Sequence, residues 1–367
     1  MTDADPLADA VRLEDLETLA RGRLHGPAFD YFAGGSGDEW TLAENRRAFG
    51  RWAIRPRVLR DVSAVDLRTE AAGRPMPFPV LLAPTALHRL AHPDGELATA
   101  RAAASLGVTM CLSTVSSVSM EEVAATGAPR WFQLYVHRDR DLTADLVRRA
   151  HASGFAALVL TVDVPFLGRR ERDERNRFRL PESVTMANLR DPRRPAPEGA
   201  TDLSPYFAAN VDPSVTWDDV AWLRSLTPMP TVLKGVLSPD DARLAVEAGV
   251  GAVVVSNHGG RQLDGALAAL DALPDVVDAV AGRAEVLMDG GVRRGTDVLK
   301  AVALGARAVM IGRPALWGLA VAGERGVRWV LERLRDELGL AMALAGAPSV
   351  AALDRSMVAP APAPAPA

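Results

Sequence analysis

Gly251-Ala252-Val253-Val254-Val255-Ser256-Asn257-His258-Gly259-Gly260-Arg261-Gln262-Leu263-Asp264 decides the reading of this chain. Its first five residues form an apolar run whose β-branched content marks a buried strand. A histidine, two glycines and an arginine then stand where the strand turns outward. Side chains two apart on a strand share a face, so Ser256 and His258 point together. A base three residues from a fixed cation is suited to deprotonating a substrate that carries its own negative charge.

Working outward, seven further runs of the same kind occur at 80–86, 108–114, 131–136, 157–164, 231–235, 285–290 and 307–312. Helical patterns at 97–106, 142–152, 239–248 and 296–304 separate many of them. Most spacings are about 20 to 35 residues, as repeated strand–helix units with right-handed crossovers require. Eight such units in series predict an α/β chain folded as a TIM (β/α)8 barrel. The barrel is expected over 79–358, after an N-terminal helical segment at 1–78. The fourth and fifth runs are further apart, and 181–215, rich in Pro, Asp, Asn and Ala, is expected to be a mobile loop. The alternating Ala and Pro of 359–367 read as a disordered, extended tail.

Active sites of this fold lie at the C-terminal ends of the strands. Here the runs end in Pro84-Thr85-Ala86, Ser113-Thr114, Gln133-Leu134-Tyr135, Thr161-Val162-Asp163, Lys234-Gly235, Ser256-Asn257-His258, Asp289-Gly290-Gly291 and Gly312-Arg313. Every apolar body therefore finishes in polar, charged or conformationally permissive residues. Asp163 is available to orient His258 and stabilise its cationic form. Gly291 and Arg293 after the seventh run, with Gly312 and Arg313 after the eighth, occupy the usual phosphate site of the fold. Lys234 faces the mouth, where it either forms a Schiff base or neutralises an anionic ring. The arginine-rich stretch 168–177 offers a substrate clamp, and Tyr31 reads by default as helix packing.

The bulk properties exclude other classes. The chain has 367 residues, 48% hydrophobic and 24% charged, close to the globular average. A net charge of −4 argues against nucleic acid as a partner. The single cysteine, Cys111, rules out an intramolecular disulfide framework. No Gly-x-Gly-x-x-Gly follows a strand, so a Rossmann-bound dinucleotide is disfavoured. No metal site is expected. With no hydrophobic signal region and no long apolar run, the chain reads as a cytoplasmic enzyme that does not enter a membrane.

Taken in order, these motifs resemble the FMN-dependent α-hydroxy acid oxidases and dehydrogenases, which include glycolate-, lactate- and mandelate-oxidising enzymes. The likeness covers roughly residues 7–357 and rests on Phe29-Asp30-Tyr31, Leu42-Ala43-Glu44-Asn45-Arg46, Ala83-Pro84-Thr85-Ala86, Phe132-Gln133-Leu134-Tyr135, Leu160-Thr161-Val162-Asp163, Leu167-Gly168-Arg169-Arg170, Lys234-Gly235, 256–264, 289–293 and Gly312-Arg313. It implies FMN as cofactor. His258 would take the proton from the substrate α-carbon or hydroxyl, with Asp163 stabilising the imidazolium. Arg261 and Arg170 would hold the substrate carboxylate, with Tyr31 and Tyr135 as hydroxyl donors. Pro84, Thr85, Ala86, Ser113, Gln133, Thr161 and Ser256 would surround the flavin ring, and Lys234 would sit beside its N1 and O2. Asp289, Gly291, Arg293, Gly312 and Arg313 would meet the ribityl chain and phosphate.

The activity so implied converts an (S)-2-hydroxy acid to the 2-oxo acid, with O2 reduced to H2O2. A same-family dehydrogenase that feeds a quinone, cytochrome or partner protein is the alternative, and an FMN-dependent isomerase a remote one. Hydride and carbanion routes both remain open. Glycolate-selective members commonly carry a bulky aromatic residue where this chain has Val115, and 112–119 looks closer to the mandelate type. Val115, Leu167 and Ala86 are therefore expected to admit a substrate larger than glycolate, mandelate-like or medium-chain. Membrane-bound relatives are hydrophobic in the region of 181–215, which is polar here. The family likeness further implies a homotetramer or homo-octamer.

Overall fold

A computed structural model describes residues 5–189 and 203–362. Eight parallel strands close into a barrel in chain order: β1 (Val80–Leu82), β2 (Met110–Ser113), β3 (Arg130–Leu134), β4 (Leu158–Thr161), β5 (Thr231–Val236), β6 (Ala252–Val255), β7 (Glu285–Asp289) and β8 (Ala308–Ile311). β8 pairs with β1, Val309 opposite Val80, which completes the ring. The expected TIM barrel is thus present, each strand falling within or against one of the apolar runs.

The crossover helices start where the sequence supplies caps. Ser119 accepts from Glu122 N ahead of helix Met120–Ala124, and Asp139 accepts from Leu142 N ahead of Arg140–Ala152. Ser238 followed by Pro239 opens Pro239–Glu247. These helices bury apolar faces against the outer sides of the strands.

The pleat of the strands separates stability from chemistry. Leu81, Cys111, Trp131, Val159, Val232, Val254, Leu287 and Met310, one from each strand, belong to a single buried cluster inside the barrel. Two residues later, on the same face, stand Ala83, Ser113, Gln133, Thr161, Lys234, Ser256, Asp289 and Gly312. One pleat step turns an apolar layer into a largely polar one at the C-terminal mouth. Cys111 belongs to the apolar layer, where burial pushes its thiol pKa far up, so it is packing and not a nucleophile.

The N-terminal segment departs from a purely helical expectation. Helices Leu13–Arg21, Gly26–Ala33 and Trp40–Arg47 are followed by a short strand, Trp52–Ile54, and by a hairpin of Thr69–Ala71 and Arg74–Met76. The hairpin turn places Ala72 and Gly73 both at positive φ, 47° and 71°, a type I′ conformation without the usual Asn-Gly signal. Ala72 N is held there by Glu285 Oε2 at 2.7 Å. Ala71 and Met76 join the apolar cluster inside the barrel, so the hairpin plugs its floor.

The tail begins later than its composition suggests. Trp52–Ile54 pairs antiparallel with Val358–Pro360, so Ala359 and Pro360 belong to a strand, with the proline at an edge where its missing N–H is tolerated. Residues 363–367 lie outside the described residues. Of the stretch 181–215, read as a mobile loop, 190–202 also lie outside them. On either side the chain is built in. Asn188 is buried and bonds Met120 N and Ser116 Oγ, and Leu203–Asn210 is a helix.

Candidate active site

A cleft opens at the C-terminal mouth of the barrel. All eight strand ends are represented in or directly behind its wall. Tyr31, Pro84, Thr85, Ala86, Ser113, Val115, Tyr135, Leu167, Arg170, Lys234, His258, Arg261, Asp289, Gly291, Arg293, Gly312 and Arg313 line it. Gln133, Thr161 and Ser256 stand in the polar layer behind the lining, and Asp163 stands behind His258. The residues that the sequence spread over almost 300 positions therefore converge on one site.

His258 is held in an unusual backbone state. Its φ is +59°, and Gly259 and Gly260 follow at +65° and +75°. A non-glycine residue in the left-handed region costs of order 1 kcal/mol and persists only where neighbours fix it. Here the fixing bonds are visible. Ser256 Oγ accepts from His258 N at 3.0 Å, while Asn257 and Asn45 exchange two amide bonds of 2.8 Å. A Cβ at Gly260 would lie 2.5 Å from Leu42 N, so this loop requires glycine to dock on helix Trp40–Arg47.

His258 Nδ1 lies 2.9 Å from Asp163 Oδ1, so the ring's Nε2 is left for the cleft. Burial pushes the imidazole below its usual pKa despite the carboxylate beside it. Burial works against ionisation of Asp163, but His258 and Lys234 outweigh it and hold the carboxyl below its ordinary value. The pair is thus a neutral imidazole backed by a carboxylate at neutral pH. Gly235, at a bulge in β5 with φ +112°, makes room for it, since a Cβ there would lie 2.7 Å from Asp163 Cβ.

Lys234 Nζ lies 3.1 Å from Asp289 Oδ2 and donates to Ser256 Oγ at 3.0 Å. Burial disfavours its charge, yet Asp289 and Asp163 prevail and raise its pKa above the ordinary value. A Schiff-base lysine needs the opposite, a depressed pKa. Of the two sequence readings, the fixed cation fits the geometry.

Four arginines reach the cleft. Arg313 donates to Phe32 O, Gly259 O and Gly34 O, and Arg261 donates to Tyr31 O and Gly34 O. Burial, reinforced by the neighbouring arginines, pulls Arg313 down to about 9 and Arg170 to about 10. Arg293 is likewise lowered to about 10. Guanidinium groups so crowded and desolvated favour anions beside them. They fall into two places: Arg293 and Arg313 near Gly291 and Gly312, and Arg170 with Arg261 near Tyr31. Tyr31 also packs, its ring stacked 4.8 Å from Phe178 and lying 5.1 Å beneath the Arg261 guanidinium.

The polar atoms left over describe what the cleft receives. Gln133 Nε2, Thr161 Oγ1, Asp289 Oδ1 and Arg170 Nε are buried without a partner among the described residues. Gly291, at φ +84°, runs so close to Asn45 that a Cβ would lie 2.0 Å from its carbonyl oxygen. Unsatisfied donors and acceptors around the mouth, with glycine and arginine at its β7–β8 end, fit a group that carries a heteroaromatic ring, hydroxyls and a phosphate. FMN has that chemistry.

Sequence reasoning missed part of the wall. Leu203 and Phe207, on helix Leu203–Asn210, line the cleft, and Phe207 meets the Tyr135 ring edge-on at 5.1 Å. Their spacing of four is a helical signal, but it lay inside a stretch whose composition read as loop. Phe32 and Leu316 also line the cleft.

Comparison with known proteins agrees with this chemistry. Residues 20–360 match the family described as FMN-dependent dehydrogenase, and the chain belongs to that family. It is 54% identical over 363 residues to L-lactate oxidase of Nostoc sp., covering 96% of this chain and 99% of that one. It is 49% identical to human 2-hydroxyacid oxidase 1, over 94% of this chain and 95% of the relative. Spinach glycolate oxidase is 49% identical over 96% of both chains. Among solved structures, one of mandelate oxidase superimposes with a TM-score of 0.89 at 51% identity, covering 94% of this chain and 97% of that one. Among the described residues, no helix is long and apolar enough to cross a membrane.

Proposed function

We propose that the protein oxidises an (S)-2-hydroxy acid to the 2-oxo acid, with FMN as cofactor and O2 as electron acceptor. The observation that carries this reading is a neutral His258, backed by Asp163, in the same cleft as Arg170 and Arg261. The lactate, glycolate and mandelate oxidase names of its relatives support the substrate class. Arg293, Arg313, Gly291 and Gly312 would hold the FMN phosphate, and Asp289 the ribityl chain. Lys234, Ser113, Gln133, Thr161, Ser256 and 84–86 would surround its ring. When bound, FMN would take two electrons and one of the two hydrogens of the substrate and pass them to O2, which with the proton held by His258 gives H2O2.

The chain's own groups do the rest. Arg170 and Arg261 present guanidinium forks that match a carboxylate, and so place the α-carbon against the cofactor site. Tyr31 and Tyr135, both buried with their pKa values raised, stay protonated and donate from their hydroxyls. His258 Nε2 takes one proton from the substrate, and Asp163 compensates the imidazolium that results. Lys234 keeps a fixed positive charge beside the cofactor site.

The side-chain end of the cleft is bounded by Val115, Leu167, Ala86, Leu203 and Phe207, none of them charged. A substrate larger than glycolate, mandelate-like or medium-chain, suits that wall. Steady-state kinetics on glycolate, lactate, 2-hydroxyoctanoate and mandelate test the reading, and a clear preference for glycolate would contradict it. Peroxide yield per turnover separates the oxidase from a dehydrogenase that uses another acceptor. We further propose a cytoplasmic homotetramer or homo-octamer, which light scattering of the holoenzyme and fractionation of the source cells check.

A further inference from the structure

Gln262 stands four residues after His258 and has no part in the chemistry above, yet its side chain is buried and bonded at both ends. Its amide nitrogen donates to Asp163 O and to Phe166 O, each at 2.8 Å, and its amide oxygen accepts from Gly168 N at 3.1 Å. All three partners lie on the stretch that leaves β4, which carries Asp163, then Leu167 and Arg170. The loop that carries His258 and Arg261 leaves β6. β4 and β6 are not neighbours in the barrel, because β5 lies between them. No ladder of strand hydrogen bonds can therefore set the distance between the two loops.

The backbones of these loops nonetheless touch. A Cβ at Gly168 would lie 2.5 Å from Arg261 O and 2.7 Å from Gln262 O. We infer that Gln262 is a positioning residue for the reaction: its amide bolts the β4 loop to the β6 loop, and so sets Asp163 against His258 and Arg170 against Arg261. The inference rests on the reading of His258 as the base.

A purely structural bolt and a positioning bolt differ in what they move. Without the two donated bonds, the carbonyls of Asp163 and Phe166 are left unpaired and the β4 loop is free to shift. The charged groups that act on His258 are Asp163 from the end of β4, Lys234 from β5 and Arg170 from the β4 loop. Only Asp163 favours the imidazolium, whereas Lys234 and Arg170 disfavour it. Loosening Asp163 therefore lowers the pH at which His258 becomes protonated and weakens it as a base.

The test is anaerobic flavin reduction by (S)-mandelate or another accepted 2-hydroxy acid, followed across pH in wild-type holoenzyme and in Gln262→Met, which keeps the side-chain length. The limiting rate should fall on the order of ten- to a hundredfold, as misplacement by up to an ångström does. The acidic limb should move to lower pH and the half-saturating acid concentration should rise, with FMN still bound. A Gln262→Met holoenzyme that reduces within twofold of wild type with an unmoved limb overturns the inference. Gln262→Leu, which loses both donors and the acceptor for Gly168 N, should behave as Gln262→Met does. If both variants lose FMN, Gln262 serves the fold alone and the positioning role is overturned. His258→Ala in the same series separates the two claims: if it reduces normally, the reading of the base fails, and if it alone is dead, only the inference about Gln262 fails.

Discussion

Asp163 Oδ1 lies 2.9 Å from His258 Nδ1, and this contact joins the ends of two strands that do not pair in the barrel. It leaves Nε2 of the ring facing the cleft and, in the proposed mechanism, supplies the charge that the imidazolium needs. Asp163→Asn keeps the shape and removes the charge, so flavin reduction should slow on the order of 10²-fold or more, the scale of general base catalysis. Stopped-flow reduction measures this, and a rate within threefold of wild type would show that the carboxylate is dispensable.

The pH dependence of activity follows from the same pair. In the proposed mechanism His258 works as the neutral base, and burial holds its pKa below the usual 6.5. The kcat/KM profile should therefore rise with pH through an apparent pKa under 6.5 and stay level above it on the acid side of tyrosine ionisation. An acidic limb centred above pH 7 would contradict the burial argument.

Stability should respond to acid through the buried histidines. His137 bonds Tyr206 Oη at 2.8 Å, and burial lowers its pKa from 6.5 to about 4. His88 is shifted in the same direction for the same reason. In the window between the folded and unfolded values the unfolded chain binds the proton and the folded chain does not. Stability is then complete above about 6.5 and is lost as pH falls toward 4, by at most about 1.4 kcal/mol per pH unit for His137, with His88 acting in the same direction. Urea unfolding of the holoenzyme at pH 7, 6 and 5 checks the slope, which should be shallower in His137→Asn.

Crowded arginines make the cofactor-free protein sensitive to anions. Gly34 O accepts from both Arg261 and Arg313, so one carbonyl joins the two anion-seeking regions of the cleft. Inorganic phosphate should raise the melting temperature of FMN-free protein, and Arg313→Ala should remove most of that gain. Equal stabilisation of wild type and variant would place the anion elsewhere.

We propose that Val115 sets substrate size. Val115→Trp narrows the cleft that Val115 lines together with Leu203 and Phe207 and should lower kcat/KM for mandelate by on the order of 10²-fold, with a smaller loss for glycolate. A uniform loss for both acids would mean that the tryptophan disturbs the cofactor site instead.

Most of this architecture was legible in the sequence because a parallel barrel buries both faces of its strands. Runs such as Ala252–Val255 are then continuous and easy to see, and their polar ends mark the mouth. The Ala71–Arg74 turn was not legible, since Ala72 holds a left-handed conformation through the bond that its N–H donates to Glu285, more than 200 residues away. Helix Leu203–Asn210 was hidden for a related reason. It is stabilised by burial of Tyr206 and Phe207 against His137 and Tyr135 rather than by local propensity. The residues alone left the role of Lys234 open and only the family resemblance placed it beside the flavin; the physical reason for its fixed charge is Asp289 beside it. That contact joins residues 55 positions apart, and no spacing rule anticipates it.

The central claim is that His258 is the base for oxidation of a 2-hydroxy acid. It is tested most directly by mixing the FMN-bound protein, without oxygen, with a panel of 2-hydroxy acids and following loss of the yellow flavin colour. The wild type should bleach, fastest with the larger acids, while His258→Ala should keep its FMN and remain coloured. Bleaching of His258→Ala at the wild-type rate, or a wild type that no 2-hydroxy acid bleaches, would contradict the account.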